Sequence, residues 1–255
     1  MNKVSIEWLK LNFNNDLVIV DTRGTFLYRF GHLENALSLP IEKVISISNN
    51  GSNLVLDSMQ AQNLFGSMGI DDTKHVVVYG EPMDPSLARV AWTLLYHGHK
   101  NISILDLGFS TIHGSGLLPI TKEIPKIINS DFVSNIDNSI RADESYVKSK
   151  LNDPSTIIVD SRTPQEHFQA RIPNSRLQNW EEGIGLNGRI FLSDDELQKI
   201  FNNENIPDNS EIICYCHSGT RASHKFFQFK YASFKNVKVY DGSIIDWAQR
   251  RNPLR

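Results

Sequence analysis

The residue best suited to chemistry is Cys216, which follows an apolar, strand-like run and precedes a helix-like run. The apolar run is IICY at 212–215, and the polar loop after the cysteine is HSGTRAS at 217–223. Ligands bind outside the carboxyl ends of the strands in an open parallel sheet. Backbone amides of a tight loop, followed by a helix N-terminus, form a site for an anion. Such surroundings favour the nucleophilic thiolate over an inert, buried thiol. We therefore predict that Cys216 is the catalytic nucleophile.

The residues after Cys216 form the predicted active-site loop. Arg221 either orients an anionic substrate or pairs with a carboxylate and shapes the loop. Ser218 is either a substrate contact or a helix cap, and His217 is either a charge near the substrate or a solvated side chain. The predicted loop contains His217, Ser218, Gly219, Thr220, Arg221 and Ala222.

The second cysteine, Cys214, lies inside the apolar run that precedes the loop. A C-x-C spacing also occurs in metal sites and beside resolving thiols, but no cluster of His and Cys accompanies this pair. We interpret Cys214 as a buried strand residue and predict no metal site and no cofactor.

An internal repeat determines the predicted architecture. VIVDTR at 18–23 recurs as IIVDSR at 157–162, VVVYG at 76–80 as IICYC at 212–216, and NISILDLG at 101–108 as NVKVYDGS at 236–243. The offsets of these blocks are 139, 136 and 135 residues, so the order and spacing of the two copies agree. The chain is therefore a tandem duplication. The first copy has Gly80 where the second has Cys216.

Short β-branched runs alternate with helix-like stretches in each copy. The stretch PSLARVAWTLLYHGHK has apolar residues at helical spacing, with Pro85 suited to a helix start and Gly98 to its end. Alternating strands and helices predict an α/β fold with a parallel sheet. Prolines and a polar stretch interrupt the pattern near 119–135, so we predict two domains, residues 1–125 and 126–255.

Composition excludes several classes of protein. The 255 residues are 40% hydrophobic and 22% charged, as in folded soluble domains. The net charge of -3 provides no basic field for nucleic acid or an anionic membrane. No apolar run reaches the ~18 residues of a membrane helix, and no signal-peptide core precedes Asn12. We expect a cytoplasmic protein without nucleic-acid or membrane partners.

The motifs together resemble the rhodanese family of sulfurtransferases in its two-domain form. The resemblance rests on DSR at 160–162, ARIPNS at 170–175, CHSGTR at 216–221 and DGSIIDW at 241–247. It covers nearly the whole of both halves. It implies two tandem rhodanese-like domains, each a parallel β-sheet flanked by helices on both faces. In such proteins the N-terminal copy lacks the cysteine and the C-terminal copy is catalytic.

The resemblance implies a thiosulfate or 3-mercaptopyruvate sulfurtransferase. The Cys216 thiolate would take the outer sulfur of the donor and hold it as a persulfide, stabilised by the loop amides. The sulfur would then pass to cyanide, a thiol or a protein acceptor. Ser218 stands where 3-mercaptopyruvate enzymes carry a loop serine, which favours that donor.

Three further residues are candidate contacts in a cleft, namely His32, Arg171 and Arg176. In some relatives the histidine at the position of His32 acts with the loop serine across the domains, but we favour the interpretation that His32 fixes its own loop. Arg171 replaces the family's usual histidine and suits a carboxylate or sulfonate. Nothing in the spacing singles out Arg176.

The carboxylates and arginines of the first motif of each copy are interpreted as structural residues and not as substrate contacts. Asp160, Arg162 and Glu166 are predicted to form a structural ion-pair set, which Asp21 and Arg23 repeat in the first copy. We therefore assign these residues to the scaffold.

Two other functions remain as alternatives. A persulfide carrier would use the same cysteine but deliver sulfur to a protein partner in sulfur-cofactor or tRNA thiolation. Phosphatases that resemble this fold have a C-x5-R loop, whereas Cys216 and Arg221 are separated as C-x4-R. The shorter loop suits a single sulfur better than a phosphate, so a phosphatase is the less favoured alternative.

Overall fold

A computed structural model describes residues 2–13 and 17–255. The chain forms two compact units. The first comprises Met1–Ile45, Leu56–Asp137 and Gly185–Phe191, and the second comprises Ser46–Val55, Asn138–Ile184 and Leu192–Arg255. Each unit therefore contains one short segment from the other sequence repeat. Residues 126–137 group with the first unit, and the division of the sequence at 125/126 stays a prediction.

The first unit is built on a five-stranded parallel sheet. Its strands, in spatial order, are β1 (Asn2–Val4), β8 (Ile102–Leu105), β7 (His75–Tyr79), β2 (Leu17–Asp21) and β4 (Leu37–Ser38). The short strands β3 (His32–Leu33) and β9 (Ile120–Thr121) pair antiparallel beside it.

The second unit has a sheet of the same design. Its parallel strands, in spatial order, are β10 (Arg141–Ala142), β14 (Val237–Tyr240), β13 (Glu211–Tyr215), β11 (Thr156–Asp160) and β12 (Arg176–Leu177). The strand that precedes Cys216 is therefore the central strand of this sheet. The pair β5 (Ile45–Ile47) and β6 (Asn53–Val55) forms a separate two-stranded sheet.

Helices connect the strands in both units. In the first half of the chain they are α1 (Ile6–Asn12), α2 (Thr25–Phe30), α3 (Ser58–Ser67), α4 (Ser86–Tyr96), α5 (Phe109–Ser115) and the 3-10 helix Ile41–Val44. In the second half they are α6 (Glu144–Lys150), α7 (Pro164–Gln169), α8 (Asp194–Asn203), α9 (Thr220–Tyr231), α10 (Ser243–Gln249) and the 3-10 helices Asn138–Ile140 and Trp180–Gly183.

The inner strands of each sheet are buried on both faces. Val77 and Tyr79 of β7 pack in a core with residues of α1 and α5, while Val76 and Val78, which alternate with them, are also fully buried. Continuous β-branched runs are typical of parallel strands covered on both faces. The prediction of two α/β domains with parallel sheets and flanking helices is confirmed.

The predicted helix between VVVY and SILD is confirmed as α4. Pro85 precedes its first residue, and Gly98, at φ +90°, follows its end. None of the helices within 2–13 and 17–255 combines the length and the apolar character needed to cross a membrane.

Candidate active site

Cys216 lies at the carboxyl end of β13, between that central strand and helix α9. The strand ends at Tyr215, and α9 begins at Thr220 after Gly219, which adopts the left-handed φ of +90°. Glycine adopts this conformation without a steric penalty, which allows the chain to turn sharply into the helix. The structure therefore places Cys216 where the sequence predicted, before the N-terminus of a twelve-residue helix.

The sulfur of Cys216 is enclosed and receives a backbone hydrogen bond. The residue is 1% exposed, and the Gly219 amide donates to Sγ over 3.1 Å. The Cys216 amide in turn donates to Ser243 Oγ over 3.0 Å, and Oγ lies 4.0 Å from the sulfur. Amide hydrogens and the positive end of α9 both favour an anion at this position.

The other predicted loop residues differ in exposure. His217 is exposed, Ser218, Thr220 and Arg221 are half-buried, and Gly219 and Ala222 are buried. Of the side chains of this group, that of His217 is therefore the most open to solvent.

Arg221 pairs with a carboxylate. Its two terminal nitrogens each donate to one oxygen of Glu166 over 2.7 Å. These bonds lower the pKa of Glu166 to about 2. The pKa of Arg221 is raised, first by the bonds to Glu166 and further by the nearby Cys216. The bidentate pair fixes the end of the loop to α7 and neutralises the guanidinium charge.

Glu166 has a second role at the start of α7. Its side chain accepts from the Thr163 amide over 3.1 Å, and the Glu166 amide donates to the Thr163 hydroxyl over 3.3 Å. This reciprocal capping box satisfies two otherwise unpaired donors. One carboxylate thus joins the cap of α7 to the active-site loop.

The ion pair between Glu166 and Arg221 makes part of the stability of the protein pH-dependent. Because the pKa of Glu166 in the folded protein lies below its ordinary value, the contribution is complete above about pH 4.3 and is lost as the pH falls toward 2. Glu166→Gln should lower the unfolding midpoint at pH 6, and the gap to wild type should shrink below about pH 4. Thermal unfolding between pH 3 and 7 measures this gap. A gap of constant size over that range would contradict the assignment.

A buried carboxylate orders the end of the neighbouring strand β11. Asp160 is fully buried and accepts from Arg162 Nη2 over 2.6 Å, from His167 Nδ1 over 2.9 Å and from the Tyr215 hydroxyl over 2.8 Å. Tyr215 directly precedes Cys216, so this network supports the strand end from which the loop departs.

The first unit repeats this network without a nucleophile. Asp21 accepts from Arg23 Nη2 over 2.6 Å and from the Tyr79 hydroxyl over 2.7 Å. At Gly80, which matches Cys216, an added Cβ would lie 2.8 Å from Thr22 Oγ1. The first copy thus keeps the scaffold but has no room for a side chain at the position that matches Cys216.

His32 lies buried in the first unit, where both of its ring nitrogens meet backbone carbonyls. Nδ1 is 2.8 Å from the Tyr28 carbonyl, Nε2 is 3.1 Å from the Glu123 carbonyl, and the ring stacks on Tyr28. These contacts agree with the interpretation that His32 fixes its own loop. Its participation in catalysis stays a prediction.

The two candidate arginines have different surroundings. Arg171 pairs through its backbone with Arg255 in both directions, and its side chain donates to the His167 carbonyl over 3.4 Å. Arg176 is exposed and lines a surface cleft with Thr156 and other residues at the amino end of β11. The backbone of Arg176 pairs with Val159 of β11, and its role as a cleft contact stays a prediction.

Cys214 lies in the middle of β13 and is fully buried. Burial raises the pKa of its thiol well above the ordinary value, so it remains protonated. The interpretation of Cys214 as a strand residue is confirmed.

Ser243 is not among the predicted site residues, although it belongs to the DGS motif at 241–243. The repeat contained the signal, because the first copy has Gly108 opposite Ser243 just as it has Gly80 opposite Cys216. The side chains of Cys216 and Ser243, which both stand opposite a glycine of the first copy, are 4.0 Å apart at Sγ and Oγ.

Comparison with known proteins agrees with this architecture. Among curated sequences, the chain is 27% identical to a Mycobacterium bovis protein named "Putative thiosulfate sulfurtransferase 1", over 96% of this chain and 93% of that protein. It is 26% identical to the "Sulfur carrier protein TtuD" of Thermus thermophilus, over 96% and 92%.

Two solved structures have the same fold. SseA from Escherichia coli, described among 3-mercaptopyruvate sulfotransferases, is 22% identical and superposes with a TM-score of 0.84 over 94% of this chain and 98% of its own. The wild-type structure of EanB is 19% identical, with a TM-score of 0.87 over 98% and 68%.

The model of the rhodanese-like domain matches residues 5–115 and 143–250, which together make up most of the chain. The two matches correspond to the two copies of the internal repeat. The chain therefore belongs to the rhodanese family of sulfurtransferases and carries two rhodanese-like domains in tandem.

Proposed function

We propose that this protein transfers a sulfane sulfur from a small donor to a thiol or cyanide through a persulfide on Cys216. The observation that carries the proposal is the geometry of the thiol. Its sulfur is enclosed at the end of the central strand, accepts the Gly219 amide over 3.1 Å and faces the N-terminus of α9. Such a site stabilises the thiolate before the reaction and a persulfide anion after it.

The reaction has two steps: the first places a sulfane sulfur on Cys216 and the second removes it, so the protein returns to its starting oxidation state after each full turnover. The Cys216 thiolate attacks the outer sulfur of the donor, a sulfur–sulfur bond forms, and the bond from that sulfur to the donor breaks. The electron pair leaves with sulfite, or with the enolate that becomes pyruvate after protonation. The acceptor then attacks the outer sulfur of the persulfide, and Cys216 leaves as the thiolate.

The charges around the loop favour 3-mercaptopyruvate over thiosulfate. Because Glu166 holds both terminal nitrogens of Arg221, that cation is already neutralised. Exposed His217 and the half-buried hydroxyls of Ser218 and Thr220 are then the loop side chains available to a donor. A dianion such as thiosulfate needs cationic partners, whereas a keto acid can also be held by a hydroxyl.

Thiocyanate formation from cyanide tests this proposal when both donors are compared side by side. We expect turnover with a higher kcat/KM for 3-mercaptopyruvate than for thiosulfate. A preference for thiosulfate would contradict the donor assignment alone. If folded protein turned over neither donor, the small-donor function would be wrong, and hydrolysis of an aryl phosphate would then support a phosphatase.

A persulfide carrier that delivers sulfur to a protein is the second candidate. It is supported by the likeness to the sulfur carrier protein of Thermus thermophilus over nearly the whole of both chains. Mass spectrometry distinguishes the two functions. A carrier would accumulate one added sulfur on Cys216 and release it slowly to cyanide or dithiothreitol, whereas an enzyme for small acceptors would release it rapidly.

A further inference from the structure

The turn between β14 and α10 holds the backbone at Cys216. The Cys216 amide donates to Ser243 Oγ over 3.0 Å, and the Ile244 amide donates to the Cys216 carbonyl over 3.2 Å. The next amide, of Ile245, donates to the His217 carbonyl over 3.3 Å. The first amides of α10, which lack partners within the helix, are thus satisfied by the active-site loop.

The first copy shows which of these contacts belong to the scaffold. There the Phe109 amide donates to the Gly80 carbonyl over 2.9 Å, which matches the bond from Ile244 to Cys216. The hydroxyl contact has no counterpart, because Gly108 occupies the position of Ser243. The turn-to-loop bond is therefore common to both copies, and the Ser243 hydroxyl is found in the copy that has the thiol.

Ser243 adopts a conformation that is unfavourable for serine. Its φ is +54°, in the left-handed region, and its side chain is fully buried. Residues other than glycine occupy this region at an energetic cost, which persists where the surroundings require it. The hydroxyl accepts from the Cys216 amide and donates to the Tyr240 carbonyl over 2.8 Å, so it joins the loop to the end of β14.

The same turn is fixed on its other side by a segment of the first repeat. Asp241, fully buried, accepts from the Val55 amide over 2.8 Å and from Arg141 Nε over 2.9 Å. On α10, Asp246 accepts from Ser52 Oγ over 3.0 Å. Residues 46–55 belong to the second unit although they precede the first unit's helix α3 in the chain.

The equivalent contact exists in the first unit. Asp106, which matches Asp241, accepts from the Phe191 amide over 2.9 Å and from Arg189 Nη2 over 2.7 Å. Phe191 lies in the short segment of the second repeat that groups with the first unit. Each unit thus contains the equivalent short segment of the other repeat. The aspartate at the start of the turn, Asp241 or Asp106, accepts a backbone amide of that segment.

We propose that Ser243 is a positioning residue for Cys216, and that residues 46–55 of the first repeat hold the Ser243 turn in place through Asp241. The inference rests on the proposed persulfide function of Cys216. It gives the first repeat, which has no nucleophile, a direct structural role in the catalytic unit.

Two substitutions of Ser243 separate positioning from folding. Ser243→Gly and Ser243→Ala both remove the hydroxyl, but only glycine relieves the left-handed backbone. We expect both to lower kcat/KM by about tenfold to a hundredfold, because small displacements of reacting groups have effects of this size. Both should also change the pH profile of Cys216 alkylation by iodoacetamide. The glycine variant should unfold at a higher denaturant concentration than the alanine variant. Unchanged turnover and an unchanged alkylation profile would overturn the proposal.

Asp241 and Asp106 are equivalent residues of the two units, so they provide a matched pair of variants that tests the role of residues 46–55. Asp241→Asn and Asp106→Asn weaken the same kind of contact in the two units, so both should lower the unfolding midpoint. Only Asp241→Asn should slow the alkylation of Cys216 and sulfur transfer. Equal effects of the two variants on Cys216 would overturn the role of the 46–55 segment.

Alkylation of Cys216 also tests the positioning role of Ser243 independently of the proposed sulfur transfer. The reaction of iodoacetamide with Cys216 requires no sulfur donor. If wild-type protein failed to transfer sulfur from either donor, the proposed function would fail, while the alkylation rates of the variants would still confirm or overturn the positioning role.

Discussion

Replacing Cys216 with alanine should abolish sulfur transfer and leave the fold intact. Loss of a covalent nucleophile removes the pathway itself, so the rate should fall by about a thousandfold or more. The alanine side chain fits the enclosed site, which is 1% exposed, without strain. Thiocyanate formation measures the loss, and circular dichroism and the unfolding midpoint show that the protein remains folded.

Cys214 provides the matched control for this experiment. It is buried two residues earlier, inside β13, and burial keeps the pKa of its thiol high. Cys214→Ala should retain most of the sulfur transfer, with a moderate loss of stability from the cavity that it creates. Turnover in Cys216→Ala equal to that of Cys214→Ala would show that Cys216 is not the nucleophile.

Replacing Asp160 with asparagine should cause the largest loss of stability. The change leaves the Arg162 guanidinium, which is 4% exposed, without its anionic partner. Removing one member of a buried ion pair typically costs about 3–5 kcal/mol. Urea unfolding followed by far-UV circular dichroism should therefore show a clear decrease in the midpoint of the transition that reports the second unit.

Asp21→Asn tests whether this cost belongs to the repeated network. Asp21 has the same bonds to Arg23 and Tyr79 in the first unit, so its loss should be of similar size. Asp21→Asn should not change the alkylation rate of Cys216, because its network ends at Gly80. A change below about 1 kcal/mol at both positions would contradict the interpretation of these pairs as buried and mutually dependent.

The sequence predicted the strands and the helix of the first unit well because they depend on local patterns. The β-branched runs became β2, β7 and β8, and the apolar spacing between Pro85 and Gly98 became α4. The repeat, together with the resemblance to the rhodanese family, predicted two α/β domains with parallel sheets. A strand that is buried on both faces needs a continuous run of apolar residues, whichever strands it pairs with. The run can therefore be recognised in the sequence without a structure.

The partners of the charged residues were not predictable in the same way. The sequence left open whether Arg221 binds a substrate or a carboxylate, and the structure gives it both oxygens of Glu166, 55 positions earlier. It also did not single out a partner for Arg176, which is exposed and lines a surface cleft with Thr156. Long side chains select partners by distance in space, which a single sequence does not report.

The sequence by itself determined the fold class and the duplication and predicted the nucleophile, because strand periodicity, repeat spacing and the type of residue after a buried strand are local properties. The tertiary structure decided which groups fix Cys216. Ser243 reaches Cys216 across 27 positions, and Val55 reaches Asp241 across 186. These contacts exist only after the strands have aligned and the two repeats have exchanged their short segments, since hydrogen bonds depend on distance and direction and not on order in the chain.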